Sequence, residues 1–329
     1  MALLASVTLT AGCGSQDAAP TLGTRFASSA EIWMHPHPYS PVYGGSLDFD
    51  GLLAGSTQWP TVAAHTQVFG LYAGWITGAS DAEIAQLAAL LTAHDMRVEI
   101  EAPALQASAS CGSGIEGFVP NGQSLEALTL AYLQRLKSAG ADVAYVKVDE
   151  PYYFGSVSGE PGACQWPVAQ VAVQVAQFAQ LVHAVYPNAE VGDTEPIISQ
   201  AYAPDVVTAL TQWHDTYQAA SASPFPFYVA DLDFADPAWP ALATAMANAV
   251  HARGMRFGII YTGDLTDGSS AMWADKAVAR FQAFQGTANG QPDYVLFQSW
   301  MPYPVYCLPE GTPSSLTGVV RSYLQATSP

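Results

Sequence analysis

The chain has 329 residues, half of them hydrophobic, which suits one large domain with a sizeable core better than two small ones. Only 12% are charged, and 10 basic against 28 acidic residues give a formal net charge of −18. Such a surface repels nucleic acid and anionic membranes, excluding both as partners, and it favours a neutral or cationic ligand over a polyanion.

Residues 1–12 are small and apolar, and the run Leu9-Thr10-Ala11-Gly12-Cys13 resembles the end of a bacterial lipoprotein signal. That resemblance implies a leader over 1–13, lipidation of Cys13 and a membrane anchor. An ordinary cleaved signal peptide would give export alone. Residues 14–29 are rich in Gly, Ser, Ala and Thr and read as a flexible tether. No other stretch reaches the roughly 18 apolar residues of a membrane span. Export, secreted or periplasmic, permits disulfides. With Cys13 set aside, Cys111, Cys164 and Cys307 remain, an odd number without CxxC or His-paired spacing, so one disulfide and one free thiol are expected.

From residue 30 onward, strand-like runs alternate with amphipathic helical stretches. The strands are expected at 31–35, 68–75, 97–101, 143–149, 190–195, 227–233, 256–261 and 294–300. Ser80-Asp81-Ala82-Glu83 is a capping box, opening a helix with an apolar stripe of Ile84, Leu87, Leu90 and Leu91. Further helices are expected at 124–138, 167–186, 239–253, 270–284 and 314–325, with Gly140 and Gly254 as terminators. Eight β-to-α alternations predict an α/β fold, a single (β/α)8 TIM barrel over residues 30–329. A doubly wound open sheet is the fallback, but no Gly-rich phosphate loop follows the first strand.

The segments after strands are long, at 36–59, 103–123, 151–166 and 301–313, whereas those before strands are mostly short. In a barrel the long ones gather at the C-terminal face and build a cleft there. Loops 103–123 and 151–166 follow consecutive strands and hold Cys111 and Cys164, which makes those two the expected disulfide.

Side chains alternate along a strand, so each strand has one face toward the barrel axis. Placing valines and isoleucines toward the helices turns Glu99 and Glu101 inward on the third strand, and Lys147 and Asp149 inward on the fourth. Asp231 and Asp233 share a face on the sixth. The first strand offers Glu31, Trp33 and His35, and the eighth offers Gln298 and Trp300. A barrel interior so rich in carboxylates is costly unless water, partners or shifted pKa values compensate. Crowded like charges keep one carboxyl protonated, as a general acid requires.

The end of the fourth strand, Val146-Lys147-Val148-Asp149-Glu150-Pro151, resembles TIM-barrel glycoside hydrolases in two ways. Glu150-Pro151 is similar to the Asn-Glu-Pro of clan A, which implies an acid/base role for Glu150, with Asp149 standing where that clan has asparagine. Lys147-Val148-Asp149 is similar to the Lys-x-Asp of α-galactosidase-type barrels, which implies Asp149 as nucleophile and an acid/base aspartate, Asp231 or Asp233, after strand six. The residue partnering strand four stays open among Asp231, Asp233, Glu195 and Asp264.

Aromatic residues at or after strand ends, among them Trp33, Tyr39, Trp75, Tyr152, Tyr153, Phe154, Trp166, Trp300, Tyr303 and Tyr306, suit the apolar faces of sugar rings. Substrate contacts are thus expected from Trp33, His35, Glu99, Glu101, Lys147, Tyr152, Gln298 and Trp300. The expected function is hydrolysis of a glycosidic bond in a poly- or oligosaccharide, with no cofactor. Two other classes stand beside it: a non-catalytic glycan-binding lipoprotein on the same barrel, and a metal-dependent hydrolase suggested by His35-Pro36-His37.

Overall fold

Eight segments rich in Val, Ile, Phe and Tyr form the sheet, because β-branched and aromatic side chains fit a pleated, buried surface. A computed structural model describes residues 25–40, 44–288 and 290–327. Within them lie β1 (Glu31–His35), β2 (Val68–Tyr72), β3 (Arg97–Ala102), β4 (Val143–Asp149), β5 (Glu190–Ile197), β6 (Phe227–Leu232), β7 (Arg256–Tyr261) and β8 (Tyr294–Gln298). Each pairs in parallel with its sequence neighbours, and β1 pairs with β8 to close the barrel. The chain is the expected (β/α)8 TIM barrel.

The helices cover the outer face. Ser80 caps Asp81–His94 through the Glu83 amide while Glu83 returns a bond to the Ser80 amide, completing the capping box. Leu125–Ser138, Val168–Val185, Trp239–His251, Ser270–Phe281 and Leu316–Thr327 lie where amphipathic stretches were expected. The helix Val168–Val185 has the length and hydropathy of a membrane span, contrary to the expectation that no further stretch does. Here it buries Val171, Val175, Phe178 and Val182.

The elements differ from the sequence reading in several places, the eighth strand for example ending at Gln298 rather than residue 300. The second strand ends at Tyr72, and Ala73–Gly78 is a short helix, so Trp75 is not a strand residue. The helix Val206–Ser221 was not anticipated, although Val206, Leu210, Trp213, His214 and Tyr217 form a stripe; polar and aromatic residues masked its period. The expected tether ran to residue 29, but Phe26 donates its amide to Ala326 (3.1 Å) and the Ser28 hydroxyl meets that of Tyr323 (2.7 Å). Those residues are therefore docked on the last helix. The leader and Cys13 lie outside the described residues.

The barrel axis is filled in layers. At the N-terminal end Arg97 pairs with Glu31 (2.7 Å) and Arg256 with Glu190, each guanidinium also lying over a tyrosine ring, Tyr145 or Tyr294. Above them Trp33 is wedged between Tyr145 (4.5 Å), Tyr294 (4.6 Å) and Phe227 (5.7 Å). Val68, Val229, Ile260 and Leu296 complete this apolar plug. It closes the lower half of the barrel, which leaves the upper half and the C-terminal rim for polar side chains.

Candidate active site

The layer above the plug is polar. On β4, Lys147 is fully buried and donates to Glu101 on β3 and to Gln298 Oε1 on β8 (3.0 Å). Gln298 Nε2 in turn donates to Glu101 Oε2 (2.7 Å) and Tyr72 Oη (3.1 Å). Burial disfavours the charge on Lys147, but Glu101, Glu99 and Asp149 outweigh it and hold the amine above its usual pKa. Burial likewise opposes the charge on Glu101, and Lys147, His35 and the Gln298 bond hold that carboxyl low. Beside them His35 Nδ1 lies 2.9 Å from Glu99 Oε2, both side chains wholly buried. Gly70 on β2 makes the room: a Cβ there would sit 2.6 Å from His35 Nδ1 and 2.7 Å from Glu99 Oε2.

At the rim, β4 ends in two adjacent acids. Asp149 faces the axis by strand alternation, which would send Glu150 the other way. Glu150 instead adopts a left-handed conformation, φ 46°, with its amide bonded to Thr194 O (3.0 Å). A left-handed non-glycine residue costs about 1–2 kcal/mol, a strain that recurs at functional sites. The turn brings the Glu150 carboxyl within hydrogen-bond reach of Asp231, which faces inward from β6.

Burial and mutual repulsion push these carboxyls toward their neutral forms. Burial, then Glu101 and Glu116, raise Asp149 well above the usual range, against the opposing pull of Lys147. Burial, then Asp231 and Asp149, do the same to Glu150. Burial raises Asp231 to about 6, moderated by the bond to Glu150 and by Lys147. Crowding and burial thus favour the neutral form of these carboxyls while Lys147 favours ionisation, the opposing pulls that separate an acid from a base in paired carboxylates.

Asp149, Glu150, Asp231, Glu99, Glu101, His35, Lys147 and Gln298 thus come together. Other expected site residues lie elsewhere. Glu195 and Asp193 share the helix-facing side of β5, because Gly192 is the residue turned inward, against Phe227. The Glu195 carboxylate accepts the amides of Tyr152 (2.5 Å) and Tyr153 (2.9 Å), fixing the start of the post-β4 loop from behind. Asp193 accepts from Trp213 Nε1 (2.9 Å) and contacts His214 Nε2 (3.0 Å).

Asp233 is exposed beyond the end of β6 and caps its own turn through the Ala235 amide (3.0 Å). Asp264, after β7, pairs with Arg280 and Lys276; burial opposes its charge, and those bonds hold it ionised. Trp33 belongs to the apolar plug, out of reach of the cleft. Tyr152 stacks on Trp213 (5.6 Å, 12° between planes), which uses its ring for loop packing. Trp300 lies just past β8, half-buried against the barrel interior.

Two further residues neighbour the cluster: His37, read in the sequence only as part of a metal-hydrolase signature, and Glu116, which the sequence reading missed. His37 packs edge-on to Tyr72 (5.1 Å), and burial and His35 lower its pKa to about 4. Glu116 comes from the loop after β3, whose single carboxylate within residues 103–123 was the available signal. The Cys111–Cys164 disulfide joins that loop to the one after β4, as expected, while Cys307 is a free, buried thiol. Among the described residues no three His, Cys, Asp or Glu side chains are arranged to hold a metal.

No protein-family model matches the chain, and no curated protein does. Solved structures do. One, from a study of two fungal β-1,4-galactanases, is 13% identical, with a TM-score of 0.52 over 80% of this chain and 90% of the other. The catalytic domain of β-amylase from Paenibacillus polymyxa is 9% identical, with a TM-score of 0.52 over 92% of this chain and 100% of the other. A modular endo-β-1,4-mannanase from Cellulomonas fimi is 12% identical, with a TM-score of 0.51 over 91% of this chain and 70% of the other. At such identity the likeness is one of fold.

Proposed function

We propose that this barrel is a glycoside hydrolase, cleaving a neutral or cationic poly- or oligosaccharide outside the cytoplasm. The observation that carries the reading is the Glu150–Asp231 carboxyl pair, with Asp149 beside it, at the open end of the barrel. Glycosidic cleavage needs one carboxyl to protonate the leaving oxygen and another to attack the anomeric carbon or activate water. Raised carboxyl pKa values around the rim favour the first role, and Lys147 favours an ionised carboxylate for the second. The Lys147–Glu101–Gln298 network holds these groups from below, so little reorganisation is needed as charge develops.

The fold shared with galactanase, amylase and mannanase supports the class but not a sugar. The disulfide suits an oxidising compartment. The decisive experiment is a polysaccharide panel, assayed for new reducing ends with the purified protein. Binding without any release of reducing ends, in wild type and Asp149→Asn alike, would favour a glycan-binding protein. Anchoring through Cys13 belongs to the same reading: fatty-acid labelling should mark the wild type and not Cys13→Ala.

A further inference from the structure

The loop between β3 and β4 brings Glu116 to the cluster, and three contacts fix it there. Gly117, at φ 75°, lies against the carbonyl oxygen of Asp149, where a Cβ would approach to 2.7 Å. Only glycine fits that position, so the loop rests directly on the end of β4. The Gly117 carbonyl accepts the amides of Ala104 (3.2 Å) and Leu105 (3.1 Å), and the two-residue strands Leu105–Gln106 and Phe118–Val119 pair beside it. The Cys111–Cys164 disulfide fastens the outer part of the loop.

So placed, Glu116 is within electrostatic reach of Glu101, Asp231 and Glu160, and both Asp149 and Glu150 feel its charge. Two strands, β4 and β5, separate its parent strand β3 from β6, so Glu116 and Asp231 approach the mouth from different sides. Glu116 is more open to solvent than Asp149, Glu150 and Asp231, although the surrounding loops still shield much of its carboxyl.

We propose that Glu116 is the proton donor to the glycosidic oxygen, delivered by the β3–β4 loop, with the strand-end carboxylates acting on the anomeric carbon. This assignment rests on the glycosidase reading. The Glu116 O–H bond breaks as its proton passes to the glycosidic oxygen, which keeps the electron pair of the cleaved C–O bond and leaves as an alcohol. Water supplies the hydroxyl on the anomeric carbon, and its proton replaces the one Glu116 gave up. Desolvation in the crowded mouth, then Glu101 and Asp231, raise Glu116 to about 7, close to the optimum for an acid at neutral pH.

The test combines a titration and an assay. Carbon-detected NMR of glutamate carboxyls, wild type against Glu116→Gln, should reveal one group titrating near 7 that the substitution removes. Gly117→Ala, which lifts the loop off Asp149, should move that titration toward the ordinary carboxyl range. On a polysaccharide that the wild type cleaves, Glu116→Gln should lose at least about 10²-fold in turnover and its alkaline pH limb, while activated aryl glycosides of the same sugar largely escape the loss. An ordinary Glu116 titration overturns the assignment, as does full Glu116→Gln activity in a protein that Asp149→Asn inactivates. A panel with no cleaved polysaccharide overturns the glycosidase reading instead, and this role with it.

Discussion

Lys147 and Glu101 stand opposite each other in register on β4 and β3 and form an ion pair inside the barrel, with Gln298 bonded to both. Breaking a buried pair by removing one partner typically costs about 3–5 kcal/mol, because the other charge stays buried alone. Lys147→Met should therefore lower unfolding stability by that order in chemical denaturation, and adding Glu101→Gln should restore part of it. A loss below about 1 kcal/mol would mean that water already compensates Glu101.

Asp149→Asn, Glu150→Gln and Asp231→Asn conserve shape while removing a charge that costs energy to bury, so each variant should fold. Each should lose at least about 10²-fold in turnover on a cleaved polysaccharide. Asp233→Asn should keep wild-type turnover, because Asp233 is exposed and engaged in its own turn. Equal activity in all four variants would remove the active site from β4 and β6.

Asp231 also makes stability depend on pH. Its pKa rises from 3.8 to about 6 on folding, so the folded state binds this proton more tightly than the unfolded chain. The stabilisation is complete below about pH 4 and is lost as pH climbs through about 6. Thermal melts at pH 4 to 8 should show the wild-type midpoint falling relative to Asp231→Asn across that window. A constant difference between the two curves would contradict the raised pKa.

Gly70 gives way to the His35 and Glu99 side chains, and an added methyl would have to displace one of them. Overpacking of this kind costs about 1–3 kcal/mol. Gly70→Ala should show that loss by denaturation. Gly74→Ala, with open space around it, should be neutral or slightly stabilising.

The Cys111–Cys164 bridge spans 53 residues of sequence, and closing such a loop typically contributes about 2–4 kcal/mol. A Cys111→Ala/Cys164→Ala variant should melt lower than the wild type. Non-reducing peptide mapping should join the two cysteines, and Cys307 should resist alkylation until the protein unfolds. Rapid alkylation of Cys307 in the native protein would contradict its burial.

The barrel was legible because it is written in short-range patterns. Alternation over two residues put Lys147 and Asp149 on the axis, and capping chemistry placed the helix that begins at Asp81. Loop order paired Cys111 with Cys164. What the chain could not state locally was how alternation ends. Glu150 leaves the strand pattern through a left-handed turn, and only that turn brings it to Asp231. Glu195 appeared equivalent to Asp231 as a strand-end acid, yet the inward Gly192 sets the phase of β5 and sends Glu195 to the backbone amides behind the site.

Trp33 read as a sugar platform until its neighbours from three other strands enclosed it. Glu116 carries no local signature beyond being the single carboxylate of its loop. Its role is created by a glycine contact to another strand's carbonyl and by a disulfide, both long-range. Sequence by itself determined the order of the strands and the inward faces of β3, β4 and β6, since these follow from backbone period and side-chain polarity. The tertiary structure alone decided which carboxyls meet and what their pKa values become, since both depend on distances between residues far apart in the chain.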